Sequence, residues 1–197
     1  MALLIVFAVL AGPGLWLSVI DPERHADGAG PLASLRGISK IGMSAPGSSG
    51  TPITFGLELC LSGGDDRVVV ESIGPTMPVG SGVTFLGGRI RTLDLTTGTP
   101  EEQMAVGSVE GFPPPSIAPD TLVEAVGATV THRCEPEMPK AYTELLVGFQ
   151  GGPGASGGWH GIDVAYRAGW RHRVVSLSYD LLLCGSASSD CADELIP

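Results

Sequence analysis

The chain has 197 residues, room for one domain plus extensions. Charged residues are 16% and aromatics 6%, glycine (29) and proline (16) are abundant, and the net charge is −10. That mix suits turn-rich β structure better than a helical bundle. Its acidity repels phosphate backbones and anionic headgroups, which argues against nucleic acid as a partner.

Residues 1–20 (MALLIVFAVLAGPGLWLSVI) carry no charged side chain. About 20 apolar residues are enough to cross a bilayer. Neither a basic start nor a clear small-residue cleavage site flanks them, and Trp16 suits an interface. The segment is predicted to be an uncleaved transmembrane helix, with a signal segment as the alternative. Residues 21–50 hold GAG, APGSSG and scattered charges without period, which predicts a flexible linker; 35–41 (LRGISKI) suit a short strand within it.

Residues 51–61 (TPITFGLELCL) place Ile53, Phe55, Leu57 and Leu59 on one side of a strand. Ser62 to Asp66 form a turn, and 67–73 (RVVVESI) read as the partner strand, ended by Gly74-Pro75. Residues 82–95 predict one strand with a break or bulge at Gly87-Gly88. Thr99, Pro100 and Glu102 mark the start of a short helix near 99–106, stopped by Gly107. Residues 112–119 (FPPPSIAP) are extended, irregular chain, and 126–134 return to strand character.

The last third predicts three further strands. Leu145, Val147 and Phe149 alternate, as do Ile162, Val164 and Tyr166. After an Ala168-Gly169 reversal, Val175, Leu177, Tyr179, Leu181 and Leu183 share one face. The glycine-rich 150–158 (QGGPGASGG) predicts a loop. About seven strands at short spacing predict an all-β fold, an antiparallel two-sheet sandwich of immunoglobulin-like kind, spanning 51–191 with a tail at 192–197.

Several residue sets invite a chemical reading. Cys60, Cys134, Cys184 and Cys191 are an even set, and beyond an apolar leader they are disulfide candidates. Their three connectivities stay open; Cys184 with Cys191 and Cys60 with Cys134 is the favoured pairing, and Cys134 with Cys184 the alternative. His132, Cys134 and Met138 resemble part of a copper set, but blue-copper sites need a second histidine, and none has the required spacing. Gly154-Ala155-Ser156-Gly157-Gly158 matches the G-x-S-x-G nucleophile elbow, with Asp163, His172 and Asp180 downstream. The elbow requires a strand-to-helix turn, whereas a strand follows here. Arg167, Arg171, His172 and Arg173 form the one basic cluster, read as a solvated turn with a small-anion site as the alternative. Trp159, Trp170 and Tyr166 suit core packing, or else an exposed patch for a sugar or peptide. His160 reads as a surface residue beside the same turn.

Two resemblances follow. LELCL, VVVESIGP, the strand ending in Cys134, GIDVAY and LLLCG together resemble small secreted or membrane-anchored bacterial β-sandwich domains. That resemblance implies fold and compartment and carries no functional residue. LLVGFQGGPGASG followed by RVVSLSYDLLLCGSAS resembles the start of proline-iminopeptidase-like hydrolases, whose loop, here Gly151 to Gly154, would line an oxyanion hole. The favoured expectation is a non-enzymatic, outward-facing module at the cell membrane, tethered through residues 1–20, with an unknown protein or envelope partner and neither cofactor nor metal. The alternatives are a secreted form, a serine hydrolase fragment built on 151–158, and a copper or small-ligand carrier.

Overall fold

Ile53, Phe55, Leu57 and Leu59 are all buried, and so are Leu145, Val147, Phe149, Ile162, Val164 and Tyr166. Val175, Leu177, Tyr179, Leu181 and Leu183 join them in one core. Alternation at a period of two therefore sorts these strands correctly into an inner and an outer face. The computed structural model describes residues 23–26, 29–34, 41–46, 50–96, 107–134 and 141–184. The predicted helices at 1–20 and 99–106 lie outside these residues. Among the described residues there is no α-helix, and no helix long and apolar enough to cross a membrane.

Eleven strands make up the fold among the described residues. They are β1 (Glu23–Ala26), β2 (Leu32–Ser34), β3 (Ile41–Pro46), β4 (Ile53–Leu61), β5 (Val68–Asp94) and β6 (Ser108–Glu110), followed by β7 (Val123–Glu124), β8 (Thr129–Val130), β9 (Ala141–Ala168), β10 (Arg171–Leu177) and β11 (Tyr179–Cys184). The first three fall within the segment expected to be linker.

The long strands β5 and β9 pair antiparallel from Asp94 opposite Ala141 to Val69 opposite Arg167. Everything else is laid on this ribbon. β4 pairs with the first half of β9, and β10 and β11 pair with its second half. β2 and β6 extend β4, and β7 and β8 border β5. β1 and β3 add parallel edges to β10 and β11.

The predicted two-sheet sandwich is corrected. This is one sheet, antiparallel apart from those edges, and it nearly closes into a barrel. The closing thread is the chain from Val123 to Cys134. Ala125 N–H donates to Gly88, while Gly127 N–H donates to Val70 and Val70 N–H to Ala128, so both ends of β5 are tied to it. Further along, Leu61 N–H donates to His132 and Cys134 N–H to Leu61, which binds β4.

The predicted loop at 150–158 is corrected as well, because it lies inside β9. Ser81 stands opposite Ser156 and Gly80 opposite Gly157, and the register slips between Ser81 and Val83. The ribbon bends here. Gly80 has φ +64°, and a Cβ on it would lie 2.3 Å from the Ser156 carbonyl oxygen. Two bare backbones can approach and bend at this point while still exchanging hydrogen bonds. The predicted bulge at Gly87 is present, as a register slip between Phe85 and Gly87.

The bend brings aromatic rings together. Phe149 stacks on Trp159 at 4.8 Å and meets Phe85 at 5.5 Å and Phe55 at 5.7 Å. On the outer side of the first half, Arg91 Nε donates to Glu144 Oε2 at 2.5 Å, and both side chains are buried. The chain beyond β6 lies over this outer face. Thr54 Oγ1 donates to the Gly111 carbonyl, and the Phe112 ring takes the space a side chain on Gly148 would need.

Candidate functional site

Residues that carry recognition chemistry gather at one end of the barrel. The β9–β10 hairpin supplies Trp170, the β4–β5 turn supplies Asp65 and Asp66, and the chain after β8 supplies Arg133. The hairpin has a two-residue loop, Gly169-Trp170, with Ala168 opposite Arg171. Gly169 has φ +60°, the left-handed first position of a type II′ turn, which matches the twist of the flanking strands. Arg167 Nη1 donates to the Gly169 carbonyl at 3.1 Å and steadies the loop.

That tight loop leaves Trp170 no neighbour to sink into, and it is 79% exposed. The Arg171 guanidinium lies over its ring at 5.2 Å. A cavity of about 190 Å³ opens beside them, lined by Asp65, Ala168, Gly169, Trp170, Arg171 and Arg173. Below it, Tyr166 is buried and receives hydrogen bonds from the Leu32 backbone and the Arg173 side chain. Burial raises the Tyr166 phenol above its ordinary pKa.

Arg133 ties the turn to the rim, donating to the Gly63 carbonyl and, at 2.8 Å, to Asp66 Oδ1. Glu71 meets His172 Nδ1 at 2.8 Å and Arg167 Nε at 3.5 Å. Five of the nine arginines (Arg67, Arg133, Arg167, Arg171 and Arg173) thus stand at or beside this end, against Asp65, Asp66 and Glu71. In a chain of net charge −10, this pole gathers more than half of the arginines, beside Asp65, Asp66, Glu71 and Glu23, the last paired opposite Arg173.

The three aromatics of the predicted patch separate. Tyr166 and Trp159 belong to the interior, and Trp170 alone is presented to solvent. Asp65 could be read in the sequence only as a turn residue, since no spacing connects it with Trp170.

The hydrolase candidates do not converge. Ser156 sits within paired strand, so the elbow geometry is absent. Asp163 binds Arg24 and accepts from Ser176 at 2.6 Å, and His172 faces Glu71. Asp180 is buried and lies 2.6 Å from His160 Nδ1, directly across β9 and β11. His160 is therefore a half-buried partner of Asp180 rather than a surface residue beside the turn.

Nor do the copper candidates form a set. Cys60 and Cys134 are joined in a disulfide with Cα atoms 4.9 Å apart, and His132 Nδ1 lies 3.0 Å from Thr143 Oγ1. Met138 lies outside the described residues. Among those residues no group of three histidine, cysteine or acidic side chains is placed to hold a metal. Cys184 is disulfide-bonded too, which leaves Cys134 with Cys184 excluded as a pair; Cys191 lies outside the described residues.

A wider depression of about 710 Å³ runs between β5 and residues 121–129. Its lining is mainly β-branched and small, with exposed Val123 and Val126 on its border. No protein family, curated protein or solved structure matches the chain.

Proposed function

We propose that the chain is a non-enzymatic, extracytoplasmic interaction module, tethered to the membrane by residues 1–20, whose contact face is the Trp170 pole. The observation that carries the compartment is the Cys60–Cys134 disulfide, which persists in oxidising surroundings and is rare in the cytosol. The bonded state of Cys184 agrees with it. The contact face is supported by exposed Trp170 and the arginines gathered around it, since aromatic and arginine anchors dominate recognition surfaces.

The test is alkylation of unreduced protein taken from its native host, followed by mass spectrometry. The reading expects no alkylated cysteine. Four alkylated thiols refute the compartment, and with it the module as proposed.

A further inference from the structure

The cavity beside Trp170 combines three kinds of surface. One wall is a flat indole whose exposure is 79%. A second is cationic, formed by Arg171 stacked over that indole and Arg173 held from beneath by Tyr166. The third is an acceptor, the Asp65 carboxylate. The volume, about 190 Å³, is that of a single ring-sized group rather than an extended ligand.

Each wall narrows the ligand. A bare sulfate would face the Asp65 carboxylate with nothing to donate to it, and neither sulfate nor phosphate has an apolar face to lay on the indole. A lipid surface needs apolar side chains that enter it together, yet among the described residues Trp170 stands alone at this pole. The other exposed large apolar residues, Met77, Val123 and Val126, belong to the β5 corner and the β7 region. A hydroxylated ring satisfies all three walls. Its C–H face covers the side of the indole that Arg171 leaves open, its hydroxyls donate to Asp65, and an acidic substituent pairs with a guanidinium in a forked geometry.

We propose that this cavity binds the ring of a carboxylated sugar carried on an acidic polysaccharide. Arg171 and Arg173 in the cavity lining select a charged polymer over a neutral one, and the arginines gathered at the pole speed its approach. The proposal rests on the reading of the Trp170 pole as the contact face, and it names what that face contacts.

Native gel electrophoresis of the full chain in mild detergent, with polygalacturonate cast in the gel, tests it. Wild-type protein is expected to be retarded by polygalacturonate and not by neutral dextran. Trp170→Ala and Arg171→Ala should each weaken binding about tenfold or more, whereas Met77→Ala at the β5 corner leaves it unchanged. All three side chains are exposed, and an unchanged melting temperature confirms that the variants fold. The proposal is overturned by unretarded wild type, by Trp170→Ala binding as wild type, or by equal retardation in dextran. Trp170-dependent binding to phosphatidylglycerol vesicles without binding to polygalacturonate overturns it as well, by assigning the face to lipid. The thiol measurement keeps the two readings apart. Fully oxidised cysteines with no retardation sink the sugar and leave the extracytoplasmic reading standing, whereas free thiols sink that reading whatever the gel shows.

Discussion

Removing the Cys60–Cys134 bond should cost a large part of the stability without altering the folded state. The two cysteines are 74 residues apart in sequence, and the span between them contains all of β5. In the chain-entropy model, closing a loop of that size restricts the unfolded ensemble by roughly 4.5 kcal/mol at 25 °C. A domain of this size has a total stability of roughly 5–15 kcal/mol, so the loss is substantial. In the folded state little changes: β4 and the chain before Cys134 remain joined by the Leu61 and Cys134 backbone bonds. The variant is Cys60→Ala/Cys134→Ala, measured by urea unfolding against wild type, with circular dichroism to confirm the fold. The midpoint should fall by an amount equivalent to about 3–4.5 kcal/mol, and the m-value should rise because the freed chain expands further. A loss below about 1 kcal/mol with an unchanged m-value would refute the argument that this bond acts on the unfolded chain.

Three further outcomes are expected. Glu144→Ala removes the buried carboxylate to which Arg91 donates and should cost about 3–5 kcal/mol, while Arg91→Met/Glu144→Leu recovers most of it; urea melts showing equal losses would contradict a dry pair. Gly80→Ala forces a side chain into a left-handed conformation against the Ser156 carbonyl, and should cost about 2 kcal/mol or more with faster amide exchange across 151–158. A neutral substitution there would mean that the corner is not closed. Because burial raises the Tyr166 phenol, the unfolded state releases its proton first. Stability is then level below the unfolded value of about 10 and falls as pH rises through and above it. Tyr166→Phe should flatten that alkaline limb in thermal melts, and a limb of unchanged slope would remove Tyr166 as its source.

Alternation was legible wherever one side of a strand is buried and the other is not. The inward sets of β4, β9 and β10 could be named from the sequence because hydrophobic burial writes itself at a period of two, and that of β11 could be named too although Asp180 and Leu182 on its other side are also buried. The sheet count was not legible. Gly74-Pro75 and the glycines of 150–158 look like ends of strands, since a sequence shows which side chains are missing but not which backbones still pair across the gap. Register between β5 and β9 depends on contacts far apart in the chain, so their passage round the corner at Gly80 left no local mark. The candidate site was half legible. Arg167, Arg171, His172 and Arg173 announced a basic turn and Trp170 an aromatic, whereas Asp65 joins them only through folding.

The order in which the long ribbon assembles follows from its register. Asp94 and Ala141 are its nearest paired positions along the chain and Val69 and Arg167 its most distant, so zippering is cheapest to begin at the first pair. Halfway along, the zipper meets proline and glycine at 74–82, where each step gains backbone bonds but little oily surface. Progress beyond that point is rewarded only when Val68, Val70, Val164 and Tyr166 come together. The distant half of the ribbon is therefore expected to close only together with the core that it helps to form.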